Sequence, residues 1–389
     1  MFAFCGRGGI EMPRLGEVFT GRVRDVSSAG AGIVEHPGGR VFFVSGVWVG
    51  EEARFRITGF RNRFGYARLE ELLAPAQERV TPRCAHHGPG PSDCGGCPWQ
   101  FVDYGAQLAA KENRLKAALS PLGLADKPLP IWPSPRPYGY RNRAQLKTDG
   151  ERIGYVAAGS RRIAPVEDCP ILTDRNRTHL RELLEQLPNS RWRQRKRGRW
   201  TTVDMDEEGV SIDRRRPFRQ GNSDQNLRMR DWLKARLAPL DRRLPVLELF
   251  AGSGNFTEVI ADTGFEHIVA VEGVGEAIDR LRARGLPGVE TWRQDLFADG
   301  AWRRLGRNLE EVGILVADPP RRGIENARGL ATAARKCRDL VYVSCDPATF
   351  ARDLGVFLEA GYSALEIQPL DQFPHTPHVE MLAHLHRDV

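Results

Sequence analysis

From about Gln220 onward, apolar β-like runs alternate with helical stretches, and this alternation constrains the fold more than any other feature of the chain. The runs are Val246–Phe250, Ile268–Val271, Ile314–Ala317 and Leu340–Val343. Between and around them lie the helical patterns Asn226–Leu237, Val274–Ala283, Ala327–Lys336 and Thr349–Glu359. Strands that are apolar throughout need cover on both faces, so a parallel sheet flanked by helices is expected. No internal repeat competes with that reading.

The first of these strands runs into Phe250-Ala-Gly252-Ser-Gly254-Asn255 and then a helix. Gly252 and Gly254 let the backbone approach a ligand that a side chain would block. With no third glycine, the dinucleotide fingerprint is not met. The next strand ends at Glu272, about twenty residues on, where an acid accepts hydrogen bonds from both ribose hydroxyls. Asp295, in Arg293-Gln-Asp-Leu-Phe, is placed to meet an adenine amino group. Asp318, in Ile314-Leu-Val-Ala-Asp-Pro-Pro320, closes a further strand. Ligands of open α/β sheets bind at such strand ends. These strand-end features, in this order and spacing, resemble class I (Rossmann-like) S-adenosylmethionine methyltransferases. The donor-site candidates are Phe250, Gly252, Gly254, Asn255, Glu272, Asp295 and Asp318. A doubly wound domain for another nucleotide is the alternative.

Val341-Tyr-Val-Ser-Cys-Asp-Pro347 puts Cys345 just past a strand and before a helix. A thiol near a helix N-terminus can have its pKa lowered and attack as thiolate. Carbon 5 of uracil is a poor nucleophile; addition of a thiolate to carbon 6 makes it carbanion-like, and a base must then remove the carbon-5 proton. Glu380, ahead of a final apolar strand in Asp371-Gln-Phe-Pro-His-Thr-Pro-His-Val-Glu380, is the base candidate; His375 and His378 are others. The bland readings are a core cysteine and a surface acid.

Upstream, Leu15 to about Leu73 carries short apolar stretches (Val18–Val23, Val41–Val44, Ala53–Ile57, Tyr66–Leu69) between Gly-rich turns, the pattern of a small OB-like β-barrel. A cysteine-rich segment, Cys84 to Gln100, precedes a helix expected over Asp103–Leu119. The stretch Pro128–Pro137 is too proline-dense for a helix and reads as an extended connection. From Tyr140 to about Pro217 the pattern is α+β, with strands at Arg152–Ala157 and Thr201–Met205 and a helix at Thr178–Gln186. The basic run Arg191–Trp200 holds two Trp among cations, which suits RNA through stacking and phosphate contact, though a solvated hairpin tip is the plain alternative. Lys plus Arg is 57 against 50 for Asp plus Glu, a net +7, which fits a polyanionic partner. No apolar run approaches the ~18 residues of a membrane span, and the N-terminus lacks an apolar signal core, so a cytoplasmic protein without a membrane partner is expected. The seven cysteines are then better read as ligands, core residues or nucleophiles than as disulfides.

Together these motifs resemble the RNA uracil-5-methyltransferases, specifically their 23S ribosomal RNA branch. The family's catalytic signature is matched by Tyr342-Val-Ser-Cys-Asp-Pro-Ala-Thr-Phe-Ala-Arg-Asp-Leu354 and its base signature by Phe373-Pro-His-Thr-Pro-His-Val-Glu380. The resemblance implies Cys345 as nucleophile, Glu380 as base and Asp318 as an acid at target base and donor. Phe218-Arg-Gln-Gly-Asn222 is similar to the segment opening the family's catalytic domain, which implies Gln220 in the donor pocket. Ala251 stands where many members have Cys or Gly. The resemblance covers nearly the whole chain and implies three domains: 1–75, a TRAM-like RNA-binding barrel; 76–217, a central domain; 218–389, the catalytic domain. Cys84, Cys94, Cys97 and Cys169 are similar to the family's four-cysteine [4Fe-4S] site, although the nine residues between Cys84 and Cys94 exceed the usual gap. Zinc is the alternative, since four thiolates also make a tetrahedral zinc set. The expected substrate is a uridine of 23S rRNA and the expected state a monomer. The competing readings are the same chemistry on transfer RNA, exocyclic-nitrogen methylation, which needs neither Cys345 nor Glu380, and a non-enzymatic RNA-binding protein.

Overall fold

The computed structural model describes residues 13–158, 160–193, 199–216 and 219–388. Three β-sheets follow one another along the chain. The first is a closed barrel of β1 (Val18–Val26), β2 (Gly32–Glu35), β3 (Val41–Val44), β4 (Glu52–Arg61) and β5 (Phe64–Ala74), in the order β1-β2-β3-β5-β4. Alternate residues such as Val23, Val34, Phe42, Val44, Phe55 and Ile57 point inward and fill it.

The helix expected next is α1 (Tyr104–Leu119), which begins where the Asp103 carboxylate caps the amides of Gly105 and Ala106. The second sheet is antiparallel, ordered β10-β9-β6-β7-β8: β6 (Arg143–Thr148), β7 (Ile153–Val156), β8 (Ile163–Pro165), β9 (Thr201–Asp206) and β10 (Gly209–Ile212). Helix α2 (Asp174–Leu184) packs on it. The middle of the basic run, 194–198, lies outside the described residues, but Trp192 is buried in this sheet's core rather than offered for stacking.

The third sheet has seven strands. Along the chain run α3 (Ser223–Leu237), β11 (Val246–Leu249), α4 (Asn255–Asp262), β12 (Ile268–Glu272), α5 (Gly275–Ala283), β13 (Val289–Arg293), α6 (Ala301–Leu305), α7 (Arg307–Glu310), β14 (Ile314–Ala317), α8 (Ala327–Ala333), β15 (Asp339–Ser344), α9 (Pro347–Glu359), β16 (Ser363–Leu370) and β17 (Glu380–His386). The order is β13-β12-β11-β14-β15-β17-β16. The first five are parallel, as expected. One of the last two is reversed: β17 lies antiparallel to β15, and β16, antiparallel to β17, runs with the first five. A nine-residue loop, too short for a crossover back to the starting edge, forces that reversal.

Both faces of the sheet are covered. Leu247 and Leu249 pack with Leu115 and Leu119 of α1 and Phe350, Leu354 and Phe357 of α9, while Val246 packs with Trp232 and Leu233 of α3 and Phe256 and Ile260 of α4. The proline-rich segment runs along the free edge of β16, where Leu129 N–H donates to Ile367 O and Trp132 N–H to Pro369 O, so that edge is paired. Among the described residues no helix is long and apolar enough to cross a membrane.

Candidate active site

The carboxyl end of β11 breaks into a sharp turn because three of its residues sit in the left-handed region: Phe250 (φ 63°), Gly252 (φ 57°) and Gly254 (φ 93°). A Cβ on Gly252 would meet nothing within 4 Å, so the turn opens onto free space. The Glu272 carboxylate, at the end of β12, accepts from Gly252 N–H at 2.9 Å and from Val274 N–H at 2.7 Å. It is thereby held beside that space with lone pairs left over for hydroxyls. Asp295, two residues past β13, accepts from Phe297 N–H at 2.9 Å, and the backbone at Asp295 lies against Gly273, next to Glu272. The Phe250 ring leans on Phe297 at 5.6 Å. The turn, Glu272 and Asp295 thus line up along three adjacent strands.

Two other sequence candidates are turned elsewhere. The Asn255 amide pairs with that of Asn226 on α3 at 2.9–3.0 Å. Gln220 accepts from Gln372 Nε2 at 3.2 Å, tying it to the β16–β17 loop. Conversely, Glu248 escaped notice. It is buried in mid-strand with one carboxylate oxygen unpartnered, and desolvation raises its pKa to about 8. The available signal was an acid inside the apolar run Val246-Leu-Glu-Leu-Phe250.

The reacting groups converge at the same rim. Asp318 follows β14 and Cys345 follows β15, while Glu380 begins β17. Because β17 runs antiparallel, its start lies where β14 and β15 end. Ser344 pairs with Met381, so one step further along the ladder Cys345 stands opposite Glu380. The thiol is pushed up to about 12, first by burial and then by Glu380; Arg321 eases it and Asp318 adds to it. This reverses the expected lowering. The N-terminus of α9 is capped by the Asp346 side chain, which accepts from Thr349 N–H at 2.9 Å, so the helix end next to the thiol carries a carboxylate. Burial and Asp318 raise Glu380 to about 8, with Arg321 opposing, and burial raises Asp318 to about 7.

Cys345 opens on a cleft of about 400 Å³ that it shares with Asp346, Arg321, His378, Arg114 of α1 and Ser28 of the barrel's β1–β2 turn. Arg321 donates to His378 Nε2 at 3.1 Å, and burial holds His378 down to about 4, so it is a neutral acceptor there. His375 does not line the cleft. It is buried, its ring tilted against Tyr138 at 4.4 Å and bonded to Gln107.

The model of the tRNA (Uracil-5-)-methyltransferase family matches residues 303–388, the stretch that carries Asp318, Cys345 and Glu380. The 23S rRNA (uracil(1939)-C(5))-methyltransferase of Halomonas elongata is 30% identical over 92% of this chain and 88% of its own. The chain belongs to the RNA uracil-5-methyltransferase family. An uncharacterized RNA methyltransferase of Nitrosomonas europaea is 44% identical over 95% of this chain and 97% of its own. In fold, this RNA methyltransferase is like the Pyrococcus abyssi tRNA (uracil-54, C5)-methyltransferase solved with S-adenosyl-L-homocysteine: TM-score 0.68, 21% identity, 94% of this chain and 100% of that one.

The methyltransferase's Cys84, Cys94, Cys97 and Cys169 lie on one side of the second sheet. Cys169 is buried, with Cys94 and Cys97 packed against the same cluster and the Tyr155 hydroxyl 3.8 Å from its Sγ. Cys94, Cys97 and Cys169 each feel others of the set, Cys84 among them, and desolvation raises all four, Cys94 to about 11. Among the described residues no three His, Cys, Asp or Glu side chains converge closely enough to hold a single metal ion.

Proposed function

We propose that this methyltransferase transfers a methyl group from S-adenosylmethionine to carbon 5 of a uridine in 23S ribosomal RNA. The observation that carries the reading is the meeting of Cys345, just past β15, with Glu380, the first residue of β17, and with Asp318 at one end of the sheet. Cys345 Sγ adds to carbon 6 of the base, which gives carbon 5 carbanion character. The donor supplies a methyl electrophile on its sulfonium; the carbon–sulfur bond breaks as the bond to carbon 5 forms. Glu380 takes the proton from carbon 5, the 5,6 double bond re-forms and Sγ leaves. The open turn at Gly252, with Glu272 and Asp295, suits the donor's nucleoside, because a Cβ there would fill the space the ligand needs.

Ribosomal RNA is preferred over transfer RNA because a relative at 30% identity that matches 92% of this chain is named for 23S rRNA. The barrel we read as a TRAM-like RNA-binding unit, within the division 1–75, 76–217 and 218–389. The four cysteines we keep as a [4Fe-4S] ligand set, on the packing of Cys94, Cys97 and Cys169 against one cluster and the influence of Cys84, Cys94 and Cys169 at Cys97; equal molar iron and acid-labile sulfide in anaerobically prepared protein, lost in Cys97→Ser, is the expected analysis, and zinc alone would overturn it.

Tritium release from RNA labelled at carbon 5 of uridine tests the reaction, with 23S and transfer RNA offered separately. Release from ribosomal RNA that Cys345→Ala abolishes is expected. Methyl transfer without release would sink the carbon-5 reading in favour of exocyclic nitrogen.

A further inference from the structure

One face of α1 is polar and buried. Tyr104, Gln107, Lys111 and Arg114 recur at the spacing that stacks side chains on one side of a helix, and all four point at the loop 371–379. Tyr104 donates to Asp371 Oδ2 at 2.7 Å. Gln107 accepts from His375 N–H at 2.8 Å, and its Nε2 lies 3.2 Å from His375 Nδ1. Lys111 Nζ reaches Asp371 Oδ1 at 2.5 Å and Phe373 O at 3.2 Å. Arg114 reaches Pro377 O at 2.5 Å. Lys111 and Asp371 are both fully buried.

An ion pair this deep is a poor way to gain stability alone, because well-packed apolar residues do as well or better. What the pair adds is a fixed geometry. The loop it grips contains Pro374 and Pro377, which have no N–H to give, so the loop cannot hold itself by a backbone ladder. Its amide at His375 and its carbonyl at Pro377 are answered by α1, and its carbonyl at Phe373 is shared between Lys111 and the loop's own Thr376. The loop is also short on its catalytic side: Leu370 pairs directly with Glu380, and Asp371 is the next residue. A shift of Asp371 is passed to Glu380 through that one rung. Cys345, by contrast, is set by β15 and α9, which meet α1 through its apolar face at Leu115 and Leu119.

We propose that the polar face of α1 is a positioning device for the base, with Gln107 and Lys111 as positioning residues that act on Glu380 through the 371–379 loop. The proposal rests on the reading of Cys345 and Glu380 given above. It separates the two halves of the reaction: addition and methyl transfer depend on Cys345, and release of the product depends on how Glu380 is held.

The test uses the full chain with RNA labelled at carbon 5. Two variants loosen the grip, Gln107→Leu and the double change Lys111→Met with Asp371→Leu, which removes both charges together. Turnover, KM for RNA and the fraction of protein in a denaturant-stable RNA adduct are measured. We expect kcat to fall about 10- to 100-fold, the scale of a misplaced catalytic group, with KM little changed and the methylated adduct accumulating. Turnover and adduct falling together, as when part of the protein is inactive, would overturn the proposal, as would wild-type behaviour. Should the double variant not fold, Tyr104→Phe removes a single hydroxyl from the ion pair; a raised adduct fraction supports the proposal and an unchanged one overturns it. Cys345→Ala and Glu380→Gln run alongside. If Glu380→Gln does not itself accumulate adduct, the reading of the reaction has failed and the positioning role falls with it; if it does, failure of the α1 variants is charged to the positioning role alone.

Discussion

The Glu380 carboxylate works against ionisation of the Cys345 thiol that faces it. After burial it is the largest influence holding that thiol near 12, and Glu380 is itself raised to about 8. At neutral pH the resting site therefore carries a protonated thiol and a largely protonated carboxyl. Substitution of Glu380 by Gln removes the opposing charge, so the thiol pKa should fall. Alkylation of Cys345 by iodoacetamide at pH 9, where Glu380 is ionised in the parent, should then run faster in Glu380→Gln, by about tenfold for each unit of pKa gained. A slower or equal rate would show that burial alone sets the thiol.

The same carboxyl predicts a pH profile. A base acts only when deprotonated, and Glu380 is raised, so its ascending limb moves up toward pH 8 instead of lying near 4.5. Single-turnover tritium release should rise between about pH 7 and 8 in the parent. In Glu380→Gln it should be lower by about 10²- to 10⁴-fold, the usual worth of a general base, with that limb gone. A flat profile from pH 6 to 9 in the parent would remove Glu380 from the role.

Three acids with raised pKa values gather toward the donor end of the sheet, the buried Glu248 at about 8 and Glu380 at about 8 and the half-buried Asp318 at about 7. Their folded pKa values lie above their unfolded ones, so the folded state favours the protonated forms. The stability this contributes is complete below about pH 4 and is lost as pH rises through 7 to 8. Glu248→Gln should therefore raise Tm at pH 9 and leave it near the parent value at pH 5, by scanning calorimetry. A lower Tm at pH 9 would mean that the Glu248 carboxylate has a partner it needs.

The sequence showed the parallel half of the sheet and its functional rim because apolar runs and strand-end acids are local patterns. Asp318, Cys345 and Glu380 each follow from a short motif, and the rim brings them together. The reversal at β17 is not legible, since the direction of the last strand depends on which edge of the sheet is free. Gln107, Lys111 and Arg114 look like the wet side of an amphipathic helix; only the fold reveals that a proline-bearing loop covers them. The thiol was misjudged for a related reason. A helix N-terminus next to Cys345 can be read from the chain, but the depth at which the thiol is buried, and how closely Glu380 and Asp318 crowd it there, depend on the fold. The pairing of the Asn255 amide with Asn226 depends on how α3 packs on α4, which no local pattern carries.

Gly252 offers the cleanest separation of fold from binding. Its φ of 57° strains any L side chain, which costs on the order of 1 kcal/mol, yet a Cβ there meets no protein atom within 4 Å. Gly252→Ala should therefore fold, with a modest loss of Tm. The added methyl projects into the space assigned to the donor, beside the amide that Glu272 holds at 2.9 Å. Calorimetric titration with S-adenosylhomocysteine should show Kd raised at least about tenfold, equivalent to ~1.4 kcal/mol. RNA affinity, measured by filter binding without the donor, should stay within about twofold of the parent, well under that 1.4 kcal/mol step. Unchanged affinity for S-adenosylhomocysteine would place the donor elsewhere on the rim, whereas a parallel loss of RNA binding would mean that the turn supports the fold more than the strained backbone alone implies.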